Sequence, residues 1–194
     1  MNHCSDIIGV VLAGGQSTRM HTDKARLIIN QTDLLTHQMA LLKQLGCVDV
    51  LVSRNEPSAN YIHDIYPNGG PMAGIYSVMK YCEQHLEPHP LLIIGVDMPL
   101  LDTTILAHLT HMGCSMQCSL HYEQQPLPLY LLNNAENRYY AKSVVQDPQN
   151  KSIQRFLNII TSAKIRTEQV NKLVNTNTPE QWQQVLAAMQ QPED

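Results

Sequence analysis

The chain has 194 residues, 43% of them hydrophobic, and a formal charge of −4. That length makes one domain, residues 1–194, the default expectation. The charge excludes a global pull toward nucleic acid or an anionic membrane surface, so any anionic ligand must be held by local cations. A membrane-spanning helix is excluded as well, because no apolar run reaches about 18 residues.

Taken in chain order, Ile7 to Leu12 is a short apolar, β-branched run that ends at glycine, as a buried strand does. The N-terminal MNHCSDIIGVV lacks a basic region, so its apolar part reads as that strand and not as a signal peptide. Asp33 is placed to cap a helix running to about Leu45, where Gly46 stops it. Val48 to Val52 is a second strand. In Asn68-Gly69-Gly70-Pro71 the proline suits the first turn of a helix striped by Ile75, Val78, Met79 and Cys82.

Leu91 to Val96 is the most apolar strand, broken by Asp97-Met98-Pro99. Asp102 or Thr103 can cap the next helix. Met116 to Tyr122 alternates like a strand, and Tyr130 to Leu132 predicts another. Helices follow over Asn134 to Val145, around Ile153 to Ile160, and from Glu180 to Met189, with a short strand at Leu173-Val174 before the last. Strands alternating with helices predict an α/β sheet covered on both faces.

Five cysteines, an odd number without disulfide-like spacing, predict reduced thiols and a cytoplasmic location. His108, His111, Cys114, Cys118 and His121 have the composition of a metal cluster. Zinc, however, needs converging side chains. The alternation from Met116 to Tyr122 puts Cys114, Cys118 and Tyr122 on one face and His121 on the other. Core fillers and surface histidines are the better reading.

Ligands of such sheets sit beyond the carboxyl ends of the strands. Three motifs fall there: the loop after Leu12, the turn at Asp97 and the turn at Asn175. In VVLAGGQSTRMHTDKA, Ala13, Gly14 and Gly15 offer backbone N–H groups with no side chain in the way. The stretch is neither a Walker A nor a GxGxxG motif. A Gly-Gly pair alone is commonly a tight turn. Arg19 and Lys24 add a bidentate fork and a point charge suited to phosphate.

Asp97 closes a buried strand, where a carboxylate is costly unless something offsets it. A helix cap would serve. So would a divalent ion of the kind that bridges phosphates, and the nearby cations favour the ion. Asp64 precedes the Gly69-Gly70 loop. Asn175 and Asn177 flank Thr176, with Thr178 the candidate cap of the last helix.

Together these segments resemble the molybdenum cofactor guanylyltransferases, members of a wider nucleotidyltransferase superfamily. The first stretch resembles LAGGxSxRMGxDKA, GGPMAGI resembles the GPLAG loop, GVDMP resembles CDxP, and NTNTPE resembles NxNTPE. The motifs keep the family's order and span nearly the whole chain.

The resemblance implies a Rossmann-like, mostly parallel sheet with helices on both faces. It implies an enzyme that transfers GMP from GTP to molybdopterin, with Mg²⁺, or Mn²⁺ in its place, as cofactor. On its terms Arg19, Lys24 and Asp97 are catalytic. Leu12, Ala13, Gly14, Gly15, Lys24, Asp64 and Asp97 bind nucleotide, Asp97 holds the metal, and Asn175 and Asn177 are substrate-binding residues near the metal or the pterin phosphate. Cofactor-insertion proteins and molybdoenzyme chaperones are the protein partners it implies, with neither nucleic acid nor membrane among them.

The chain departs from the pattern at His21, which stands at a family glycine, and at Gly95-Val96, where a cysteine is common. It departs again at Ser53, near the place of a nucleotide-binding asparagine, for which Asn55 could substitute. A cytidylyltransferase of the same pathway is the nearest alternative, but Gly14-Gly15 and the GGPMAG loop favour guanine. A non-catalytic nucleotide-binding member is the other alternative, and the presence of Arg19, Lys24 and Asp97 argues against it.

Overall fold

The computed structural model describes residues 6–14, 23–29 and 31–189, so Gly15, Arg19 and His21 lie outside the described residues. Its strands are β1 (Ile8–Leu12), β2 (Ile28–Ile29), β3 (Thr32–Asp33), β4 (Asp49–Ser53), β5 (Leu91–Gly95), β6 (Leu120–Tyr122), β7 (Leu129–Leu131) and β8 (Ala163–Ile165). The helices are α1 (Leu34–Leu45), α2 (Pro71–His85), α3 (Thr103–Met116), α4 (Ala135–Gln146), α5 (Ile153–Ile159) and α6 (Pro179–Met189).

Six strands form one sheet in the order β4-β1-β5-β7-β6-β8, and β2 and β3 make a separate small hairpin. β1 is buried along its whole length and pairs in parallel with β4 and β5. β7 runs against β5 and β6, while β8 is parallel to β6. Five strands therefore share one direction and β7 alone opposes them. The mostly parallel α/β sheet expected from the sequence is observed.

The period-two pattern of the central strands splits the core into two layers. Val11, Leu92 and Ile94 pack with Leu42 of α1 and Leu106 of α3 on one face. Val10, Leu91 and Ile93 pack with Ile75 and Met79 of α2 and Phe156 of α5 on the other. Truncating one of these fully buried aliphatics to alanine would cost about 2–5 kcal/mol.

The helix boundaries follow from local chemistry. The Asp33 carboxylate accepts from Thr36 N–H, and Gly46 ends α1 at φ 94°. Asp102 and Asn134 cap α3 and α4 in the same way. Gly70, at φ 61°, turns the chain into Pro71 at the start of α2. Among the described residues beyond its chain neighbours, none lies within 4 Å of a Cβ built on Gly70, so backbone conformation requires glycine there.

Three expectations change. The alternation from Met116 to Tyr122 is a strand only over Leu120–Tyr122, because α3 continues to Met116 and Gln117 ends it at φ 51°. Gly113 belongs to that helix, and a Cβ there would meet the Tyr130 ring at 2.3 Å, so the helix lies close on the sheet. Leu173 ends a 3₁₀ turn, Val170–Leu173, and is no strand. β8, which the sequence reading left out, forms the sheet edge instead.

The metal-like residues go separate ways. His108 Nδ1 lies 3.2 Å from the Tyr122 hydroxyl. His121, expected at the surface, is 1% exposed and lies 3.2 Å from Ser162 Oγ. Cys47, Cys82 and Cys118 are free thiols, whereas Cys114 is disulfide-bonded, against the expectation of reduced thiols throughout. Among the described residues no helix is long and apolar enough to cross a membrane.

Candidate active site

The site forms where β1, β4 and β5 end together. Ala13 N–H donates to Ser53 O at 2.9 Å and Val96 N–H donates to Leu12 O at 3.0 Å, each extending a parallel ladder by one step. These bonds bring Gly14 and Asp97 to the rim of one cleft of about 310 Å³. Leu12, Ala13, Gly14, Lys24, Asp97 and Asn175 all line it. A second, more open cleft shares Pro71, Pro126 and Ile153 with the first and extends along Gly69, Gly70 and Lys151.

Asp97 is held from three directions. Thr176, fully buried, donates its N–H and its hydroxyl to Asp97 O, at 2.8 and 3.3 Å. Gly95 leaves room for the carboxylate, since a Cβ there would stand 2.7 Å from Asp97 Oδ1. Lys24 Nζ donates to Asp97 Oδ2 at 3.1 Å and to Asn177 Oδ1 at 2.7 Å. The two charged side chains are 14% and 25% exposed, so solvent screens the pair only in part.

The Asn175 to Asn177 segment is fixed by α6. Gln181 Oε1 accepts from Asn177 N–H and Thr178 N–H, while Gln181 N–H donates to Thr178 Oγ1. That reciprocal arrangement is a capping box, and Thr178 is the cap the sequence indicated. Thr176 points inward on Asp97, while Asn175 lines the cleft and Asn177 meets Lys24. Asn175 Oδ1 is buried with no hydrogen-bond partner among the described residues. That amide oxygen and the Asp97 carboxylate, whose residues line the same cleft, are hard-oxygen donors of the kind magnesium prefers.

Lys24 begins a 3₁₀ turn, Lys24–Arg26, capped by Asp23, whose Oδ1 accepts from Ala25 N–H at 3.1 Å. Arg54, 4% exposed, follows β4 and reaches Asp23 and Ala13 O. Burial works against the Arg54 cation, but hydrogen bonds and attraction from Glu56 and Asp23 outweigh it and raise its pKa. Asp64 stands apart from the cleft wall. Asn55 Nδ2 donates to Asp64 Oδ2 at 2.7 Å and Asp64 N–H returns a bond to Asn55 Oδ1 at 2.8 Å. Asn55 in turn lies about Gly14, its Nδ2 4.0 Å from where a Gly14 Cβ would be.

Leu12, Ala13, Gly14, Lys24, Asp97, Asn175 and Asn177 thus converge, and Asp64 joins them at one remove. Sequence reasoning missed Arg54, Asp23, Thr176 and Gln181. Thr178-Pro-Glu-Gln181 is a legible capping box, whereas an arginine after a strand carries no local signal.

A strand-end cleft with a glycine-bearing loop, a lysine and a carboxylate just past the adjacent strand, together with the chain's relatives, marks a nucleotidyltransferase. The chain belongs to the MobA-like NTP transferase domain family, which it matches over residues 9–166. It is 35% identical to the molybdenum cofactor guanylyltransferase of Xanthomonas euvesicatoria, over 92% of this chain and 93% of that one. Another of that name, from Shewanella loihica, is 27% identical over 94% and 97%. The fold is similar to that of molybdopterin-guanine dinucleotide biosynthesis protein A from Archaeoglobus fulgidus, with a TM-score of 0.74 at 17% identity, covering 94% and 98% of the chains.

Proposed function

We propose that this protein is a molybdenum cofactor guanylyltransferase. In the reaction a phosphate oxygen of molybdopterin forms a bond to the α-phosphorus of GTP. The bond from that phosphorus to the bridging oxygen breaks, and pyrophosphate leaves with the electron pair. Molybdopterin guanine dinucleotide is the product. Catalysis of this kind is mostly positioning and charge neutralisation.

The observation that carries the reading is the convergence of Lys24, Asp97 and Asn177 at the joint ends of β1 and β5. Leu12, Ala13 and Gly14 offer backbone to the guanine and ribose. Among the described residues beyond its chain neighbours, a Cβ on Gly14 would meet Ser53 O at 3.8 Å and Asn55 Nδ2 at 4.0 Å, which is ordinary contact. Those residues leave space for a side chain there, and a ligand that comes close accounts for the bare backbone. Asp64, held by Asn55 through one oxygen, keeps its other oxygen for the nucleotide. Lys24 and Arg19 take the triphosphate.

Asp97 and the orphaned Asn175 Oδ1 suit Mg²⁺, with Mn²⁺ as a substitute. When bound, such an ion neutralises phosphate charge during the displacement. The second cleft, along Gly70 and Lys151, shares Pro71, Pro126 and Ile153 with the first and suits the acceptor. This reading sets the reaction in the cytoplasm, with cofactor-insertion proteins and molybdoenzyme chaperones receiving the product.

The test of base choice is thermal melting with each nucleotide and Mg²⁺. A ligand that binds only the native state raises the melting temperature by mass action. GTP should raise it more than CTP. An equal or larger rise with CTP would point to a cytidylyltransferase.

A further inference from the structure

We propose that Arg54 is a positioning residue for Lys24, acting through Asp23. The inference rests on the reading that Lys24 meets the triphosphate.

Arg54 is an unusual group to bury beside a strand end. Its Nη1 donates to Ala13 O at 3.4 Å, and Nη2 donates to Glu56 Oε1 at 2.5 Å. Nη2 also bonds Asp23 Oδ2, with a longer contact from Nη1 to Asp23 Oδ1 at 3.5 Å. The Tyr61 ring lies 5.9 Å from the guanidinium carbon. One side chain thus holds the backbone leaving β1 and the carboxylate that precedes Lys24.

Asp23 passes that restraint on. One oxygen is fixed by Arg54, and the other caps Ala25 N–H. Ala25 is buried at 3% exposure, so the turn has little freedom to roll. Lys24 leaves this turn with its stem direction set, and its ammonium arrives between Asp97 and Asn177. A flexible four-carbon stem gains precision only from a fixed root.

Asp23 and Glu56 are partly exposed, so neutralising their charge alone would call for a cation but not for a planar fork. A planar fork that bonds Asp23 and a backbone carbonyl together fixes direction, which a point charge does not. A purely structural role and a positioning role therefore differ in their coupling to Lys24.

The test is a double-mutant cycle on GTP affinity, with melting curves as the control for folding. The proteins are the wild type, Arg54→Gln, Lys24→Ala and the double variant. Arg54→Gln should weaken GTP binding about tenfold in the wild-type background and hardly at all in the Lys24→Ala background. An equal loss in both backgrounds, or no loss in either, overturns the proposal. If Lys24→Ala alone leaves GTP affinity unchanged, the phosphate role of Lys24 fails first and the proposal falls with it. Arg54→Lys keeps the charge and loses the fork, and covers an Arg54→Gln variant that does not fold. It should bind GTP more weakly than the wild type, and wild-type affinity in it contradicts the positioning role.

Discussion

Lys24 Nζ lies 3.1 Å from Asp97 Oδ2, so a cation and a carboxylate separated by 73 positions in the chain neutralise each other. From the sequence alone Asp97 stands uncompensated at a buried strand end, and removing its charge should stabilise the fold. The ion pair reverses that sign. Asp97→Asn leaves the Lys24 ammonium with amide oxygens only. A loss of about 1 kcal/mol follows for a partly exposed pair, or about 2–4 °C in melting temperature. Nucleotidyl transfer should fall by about a hundredfold or more, since the carboxylate proposed to hold the phosphate-neutralising ion is gone. Full activity in this variant at saturating Mg²⁺ rules out the role of Asp97.

On the proposed reading, in which Asp97 holds the ion, the same pair would govern metal affinity. A divalent ion arriving alone must displace the Lys24 ammonium from Asp97, whereas an ion arriving with GTP brings phosphates that take the ammonium over. Mn²⁺ titrated into the wild-type protein should bind weakly without nucleotide and much more tightly with GTP. Lys24→Ala should tighten binding of Mn²⁺ alone. Spin-resonance titration reads all three directly, without reference to turnover. Tight Mn²⁺ binding by the wild type without GTP would contradict the competition.

Gly14→Ala separates fold from ligand. Among the described residues beyond its chain neighbours, the new methyl finds ordinary contact distances, with Ser53 O at 3.8 Å. The melting temperature should stay within about 2 °C of the wild type, the scale of a surface substitution. GTP affinity should drop, because the methyl occupies space the nucleotide needs. A Gly14→Ala protein that binds GTP normally removes Gly14 from the site.

Acid stability follows from His121. Burial, reinforced by the Lys164 charge, lowers its pKa below the usual 6.5. The unfolded chain then binds a proton that the folded chain refuses. The contribution of neutral His121 is complete above pH about 6.5 and is lost as pH falls through the lower folded value. Between pH 7 and about 5 the wild type should lose more stability in urea than His121→Gln does. Equal losses would place the acid sensitivity elsewhere, His37 being the next histidine that burial shifts the same way.

The layered sheet and much of the site were legible because their signals are local. The unbroken apolar runs of β1 and β5 predict buried strands, and Asp33, Asp102 and Asn134 are caps that act within three residues. β8 was illegible because Ala163, Lys164 and Ile165 are only half-buried or exposed at the sheet edge, which leaves no apolar pattern. Met116 to Tyr122 alternates in composition, yet the continuing apolar stripe of α3 claims its first residue. In the site, Lys24 and Asp97 could be picked out by chemistry. Their pairing could not, since it depends on the register of β1 against β5 and on Thr176 closing over Asp97. Arg54 was invisible for the same reason: its partners, Ala13 and Asp23, lie 41 and 31 positions away.

The most direct test of the account follows phosphorus through one turnover. Purified protein, molybdopterin and Mg²⁺ are incubated with GTP labelled at either the α- or the γ-phosphorus, and with α-labelled CTP in parallel. The account predicts α-label from GTP in molybdopterin guanine dinucleotide, γ-label in pyrophosphate, and little transfer from CTP. GTP that binds without passing its α-label to molybdopterin, or CTP that serves better than GTP, would contradict it.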